Sequence, residues 1–165
     1  MADREQVPLL FLDVDGPLLP FGGKPSEHQA GGPVPHLAKL RPETGRRLAA
    51  LPCVLVWATT WLEDANAEVG PRIGLPPLPV VTWPEPTPAD EHEDQWFGLC
   101  WKTRTLVSWA AGRTFAWVDD EVTDADRQWV SEHHPGPALL RTVDASVGLT
   151  DQDFATLALW LRELA

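Results

Sequence analysis

Five short runs of aliphatic, branched and aromatic residues, at 8–12, 54–58, 78–82, 114–118 and 138–142, constrain the fold of this chain more than any other feature. Each ends in polar or turn-forming residues, as strands do. Helical signals lie between them: 42–51 with Pro42 in its first turn, then 61–69, 101–111 and 124–133. A final amphipathic helix over 150–164 has Thr150 as its cap. Strands alternating with helices at this spacing predict an α/β fold, a three-layer Rossmann-like parallel sheet with helices on both faces. Ligands of such sheets bind beyond the carboxyl ends of the strands.

The remaining segments are irregular by composition. A flap is expected over about 17–36, rich in Gly and Pro and containing His28, and an acidic, proline-containing loop over about 84–97. At 165 residues the chain fits a single domain spanning 1–165. Hydrophobic residues make up 44%, enough for a sizeable core and too many for a disordered chain. The N-terminal residues combine early acidic positions with a short apolar run interrupted by Pro8, which fits neither a leader nor a membrane span. Cys53 and Cys100 lack metal-ligand spacing and are expected as reduced, buried thiols, with a cytoplasmic address. A formal charge of −11 weighs against nucleic acid as a partner, without removing it, because a bound cation would neutralise several carboxylates.

Chemistry-bearing side chains gather at predicted strand ends. Asp13 and Asp15 close the first run, Thr59 and Thr60 the second, and Asp119 with Asp120 the fourth, while Lys102 opens the helix before that fourth run. Two carboxylates on one strand-end turn suit a nucleophile and a proton carrier, and Gly16 permits the tight backbone that brings both inward. A threonine at a helix start holds a phosphate oxygen, a lysine neutralises developing charge, and an acidic pair offers the hard oxygen donors that magnesium prefers. Each has an ordinary reading by itself: a turn of solvated aspartates, helix caps at Thr59 or Thr60, a solvated lysine, an N-cap pair at Asp119 and Asp120. Their common placement is what argues for a site.

The ordered set Phe11-Leu12-Asp13-Val14-Asp15-Gly16, Val56-Trp57-Ala58-Thr59, Lys102 and Trp117-Val118-Asp119-Asp120 resembles the four motifs of the haloacid dehalogenase (HAD) superfamily. The resemblance implies a magnesium-dependent phosphomonoester phosphatase with Asp13 as nucleophile, forming an aspartyl-phosphate, and Asp15 as general acid and then base. It implies that Thr59 and Lys102 hold the phosphoryl group, that Asp13, Asp15, Asp119 and Asp120 bind Mg²⁺, and that Gly16, Thr60 and Trp61 meet the substrate. No large cap domain fits the gaps between motifs, so the cleft is expected to be open. Similar capless proteins accept a phosphate on a macromolecule or close the site with a second subunit, so both an exposed macromolecular phosphate and a homodimer enter the expected partners beside a small phosphorylated molecule; no membrane partner is expected. Val56-Trp57-Ala58-Thr59-Thr60-Trp61, Trp101-Lys102 and Gly148-Leu149-Thr150 are similar to small HAD domains attached to RNA-repair proteins.

Alternatives on the same residues are a phosphotransferase, a polynucleotide end phosphatase, and a catalytically inactive HAD-like binding module. A receiver domain is disfavoured, because receivers carry the acidic pair first and the acceptor later. Among nine tryptophans, Trp61, Trp83, Trp96 and Trp101 are candidates for the rim and most others for the core. His133 and His134 read as a helix end, and His28 and His92 as loop residues.

Overall fold

The computed structural model describes residues 7–22 and 35–164. The middle of the expected flap, with His28, lies outside the described residues.

Four parallel strands form the sheet: β1 (Leu9–Leu12), β2 (Val54–Trp57), β3 (Phe115–Asp119) and β4 (Ala138–Thr142), in the order β2-β1-β3-β4. The alternation of side chains along each strand sorts the core into two layers. Leu10, Leu12, Leu55, Trp57, Ala116 and Val118 face one layer, shared with α1 (Pro42–Ala49), α2 (Gly70–Ile73) and α6 (Asp151–Glu163). Leu9, Phe11, Val56, Phe115 and Trp117 face the other, which α4 (Thr103–Ala110) and α5 (Asp124–His133) cover. Strands buried on both faces are what a doubly covered parallel sheet requires, and the expected three-layer α/β architecture without a large cap is the one observed.

The strand expected over 78–82 is reduced to a single bridge, Trp57 to Val80. Trp57 donates its N–H to the Pro79 carbonyl and accepts from Val81, both at 2.9 Å. Pro76, Pro77 and Pro79 supply no N–H for a longer ladder. The Asn66 side chain takes the place of ladder bonds: its Oδ1 accepts from the Leu78 N–H at 2.9 Å and its Nδ2 donates to the Leu78 carbonyl at 2.9 Å. The helix expected over 61–69 is a turn followed by a π-helical stretch, Ala65–Val69, that runs into α2.

A second correction concerns the acidic loop, because residues Pro88–Phe97 form a helix, α3. Thr87 caps it by accepting the Asp90 N–H at 3.1 Å, Pro88 occupies the first turn, and Gly98 at φ +70° ends it. Prolines and acidic residues at a helix start imitate loop composition, which is why the pattern misled. α3 buries none of its residues and is tied down by charge instead: Arg104 of α4 lies 2.8 Å from Asp94 and 3.6 Å from Glu93. His92 therefore sits exposed on a helix, and Cys53 and Cys100 are half-buried free thiols.

Candidate active site

Strand order creates the site. The chain leaves the carboxyl end of β1 toward β2 on one side and reaches β3 on the other, so the ends of β1 and β3 flank a topological switch point. Asp13 follows β1 and Asp119 ends β3, and the register that pairs Leu12 with Val118 sets the two carboxylates side by side. One oxygen from each of Asp13, Asp119 and Asp120 lies within 4.8 Å of the others.

Lys102 enters this cluster from beneath α4 with 2% of its side chain exposed, its Nζ 2.7 Å from Asp119 Oδ2, 3.3 Å from Asp13 Oδ1 and 3.0 Å from the Ala58 carbonyl at the end of β2. The last link ties the lysine to the end of β2 as well as to those of β1 and β3. Asp126, which the sequence reading passed over, fixes the turn that carries it: its Oδ1 accepts from the Cys100 N–H at 2.8 Å and the Thr103 hydroxyl at 2.7 Å. Its Oδ2 closes a capping box on Thr123, so one buried aspartate joins the starts of α4 and α5. An aspartate three residues after a threonine was the available signal.

Electrostatics follow from this crowding. Asp13 is pushed up to about 8, chiefly by burial and then by the Asp119 carboxylate, with Lys102 pulling the other way. Asp120 rises to about 6 through burial and its neighbour Asp119. Burial alone would lower Lys102, yet Asp119 and Asp13 outweigh it and hold the ammonium above its usual value. When fully ionised, three carboxylates beside one ammonium leave two negative charges, which a divalent cation would balance. The donor set is all oxygen, partly buried and open to a cleft, and so fits Mg²⁺.

Asp15 stands apart from the three-carboxylate cluster. Its Oδ2 accepts the indole N–H of Trp61 at 3.0 Å, so Trp61, expected to meet the substrate, holds the carboxylate expected to carry the proton. Gly16, at φ +101°, backs Asp120: a Cβ there would stand 2.9 Å from that carboxylate. The residue is a spacer for the acidic pair, and any side chain would displace it.

The cleft above these groups has a volume of about 140 Å³ and is lined by Asp13, Asp15, Thr60, Lys102 and Asp120 together with Phe21, Trp101 and Glu121. Thr60 lines it and Thr59 does not. Thr59 is fully buried, its hydroxyl accepting the Trp61 N–H at 3.2 Å and its carbonyl accepting the Trp83 indole at 3.0 Å. Thr60, one residue along the same turn, is the threonine that faces the cleft. Of the four rim tryptophans, Trp101 lines the cleft, Trp61 and Trp83 bond to Asp15 and to the Thr59 carbonyl beside it, and Trp96 is 79% exposed on α3. Trp57 and Trp117 are core residues, fully buried, and Trp117 adds an N–H toward Asp119 at 3.3 Å.

No helix among the described residues is long and apolar enough to cross a membrane. No curated protein and no solved structure matches the chain. A family match does span the site: residues 9–154 fit the family described as the HAD domain in Swiss Army Knife RNA repair proteins, taking in β1 through the first turn of α6 with the carboxylate cluster, Lys102 and Asp15. With its four-stranded parallel sheet and the acidic switch point between β1 and β3, the chain belongs to this HAD family.

Proposed function

We propose that the chain is a magnesium-dependent phosphomonoester phosphatase acting through an aspartyl-phosphate on Asp13. The observation that carries this reading is the Asp13 carboxylate set 3.3 Å from the Lys102 ammonium, within a carboxylate cluster two charges in excess. A structural ion pair needs one carboxylate per ammonium; a surplus held in a partly buried cleft is unfavourable without a counter-ion.

Asp13, Asp119 and Asp120 would hold the cation, with the main-chain oxygen of residue 15 as the further ligand that the family resemblance implies. Bound there, Mg²⁺ supplies positive charge to the phosphoryl oxygens and to Asp13. Asp13 attacks phosphorus, forming an oxygen–phosphorus bond as the bond to the leaving oxygen breaks. Asp15 gives its proton to that oxygen, so the leaving group departs as a neutral alcohol. In the second half Asp15 takes a proton from water, water oxygen bonds to phosphorus, and Asp13 is released with inorganic phosphate. Lys102 keeps its charge throughout and offsets the negative charge that builds on the transferring group. Thr60, which lines the cleft at the turn after β2, would meet a phosphoryl oxygen.

The family's description favours one alternative substrate, a phosphate at the end of a polynucleotide. Phosphate release should therefore be measured over nucleotides, sugar phosphates, phosphopeptides and 3′- or 5′-phosphorylated oligonucleotides, with Mg²⁺ and with EDTA. The expected result is release that needs the metal and falls to background in Asp13→Asn. Substantial turnover by the pure variant would sink the nucleophile assignment, and competing alcohols in the same assay would reveal transfer to an acceptor other than water.

A further inference from the structure

The catalytic cleft is too small for most of a substrate. Its volume of about 140 Å³ lies well under the roughly 300 Å³ at which small-molecule sites begin. The phosphoryl group fits; the rest of the molecule must lie elsewhere. A larger groove of about 500 Å³ adjoins it, and Trp101 belongs to the walls of both.

The groove runs between α3, the start of α4 and the segment 83–87. Its inner wall is aromatic: Trp83 and Trp101 meet edge to face at 4.9 Å. That wall is fixed to the catalytic groups. The Trp83 indole N–H is anchored on the Thr59 carbonyl, and the Lys102 ammonium stands 5.9 Å from the Trp83 ring and 5.5 Å from the Trp101 ring. Its outer wall is acidic, with Glu85, Asp90, Glu91 and Asp94 against the single cation Arg104, whose charge Asp94 already meets at 2.8 Å. A second anionic group on the substrate would be repelled there. A flat ring would stack on indole, and ring amines would find carboxylate acceptors.

We propose that this groove binds the leaving group of the phosphomonoester, and that this leaving group is a nucleoside: its phosphate lies in the cleft and its base lies against Trp83 and Trp101. The carboxylates select a mononucleotide over a chain that continues with further phosphates through the groove. α3 serves as the specificity wall. This inference rests on the cleft being the phosphate site, and its test separates the two.

The test compares adenosine 5′-monophosphate with ribose 5-phosphate as substrates, and measures adenosine binding by quenching of tryptophan fluorescence, in the wild type, Trp83→Ala and Thr105→Trp. Thr105 lines the groove from α4, and an indole there would fill it. Base stacking predicts kcat/KM for the nucleotide to exceed that for the sugar phosphate by about 5- to 100-fold. The ratio should fall toward 1 in both variants, a comparison within each protein that is insensitive to a general loss of activity. Adenosine should inhibit competitively. Equal turnover of both substrates, without adenosine binding, would overturn the groove and leave the phosphatase standing. Adenosine binding that Thr105→Trp abolishes, with no hydrolysis of either ester, would uphold the groove and overturn the phosphatase. Neither binding nor hydrolysis would overturn both.

Discussion

Asp15 shows how much a single hydrogen bond can decide. A proton carrier must face the leaving oxygen, and an aspartate on a turn has rotamer freedom to face away. Trp61 restricts that freedom through its indole N–H, 3.0 Å from Oδ2. Trp61→Phe keeps a ring and removes the donor. On the proposed mechanism, kcat for esters with poor leaving groups should fall about tenfold, a part of the 10²–10⁴ that positioned acid–base groups contribute, while esters of acidic phenols should change little. A plot of log kcat against leaving-group pKa checks this, and a uniform drop across the series would assign Trp61 a merely structural part. Sequence placed Trp61 beside the site but gave it to the substrate, because an indole signals stacking and hydrogen bonding alike. The different burial of Thr59 and Thr60 is hidden for a similar reason: which of two adjacent hydroxyls points outward depends on how the backbone turns after β2, and the string Thr59-Thr60 carries no sign of that.

At the scale of elements, what reads well from sequence is whatever hydrophobic period dictates. β1, β2, β3 and β4, the helices α4, α5 and α6, and hence the gathering of Asp13, Lys102 and Asp119, follow from apolar runs and capping residues. What read poorly depends on partners. The segment 78–82 has strand composition but lacks the N–H groups for a ladder, and α3 has loop composition but complete caps. Packing between elements is equally hidden, as Gly45 illustrates. It lies inside α1, where glycine costs about 1 kcal/mol against alanine. The structure supplies the reason: a Cβ at Gly45 would collide with the Ile73 carbonyl oxygen of α2. Gly45→Ala must therefore separate α1 from α2, and the overpacking cost of roughly 1–3 kcal/mol or more should exceed the gain in helix propensity. Urea denaturation should show a lower midpoint with an unchanged slope; a stabilised variant would mean that the two helices shift apart freely.

For the whole molecule the governing quantity is charge. Within a chain at −11, the switch point would carry an excess of two negative charges once all three of its carboxylates ionise, where burial makes them most costly. In metal-free protein Asp13 sits at about 8, above its ordinary value of 3.8. A carboxyl raised by folding binds more protons folded than unfolded between those values, so its contribution favours the folded state at low pH and is lost as pH rises toward 8 and beyond. Asp13→Asn removes this term. In EDTA at pH 9 the variant should melt higher than the wild type, at roughly 2–4 °C per kcal/mol for a chain of this size, and the gap should narrow markedly by pH 5 and close only as pH falls to the ordinary value of 3.8, where unfolded Asp13 is protonated too. Mg²⁺ should raise the wild type by mass action, about 2.7 kcal/mol at a hundred times Kd, release protons as it binds, and raise the variant far less. Thermal melts of both proteins at the two pH values, with and without Mg²⁺, check all of this together. A variant no more stable than the wild type at pH 9 in EDTA would mean that the crowded carboxylates are not held at a cost, and with it would go the electrostatic case for a cation at Asp13. The expected pattern would show instead that stability was given up at the one place where the proposed chemistry needs an ionised nucleophile, a cost that the bound cation offsets.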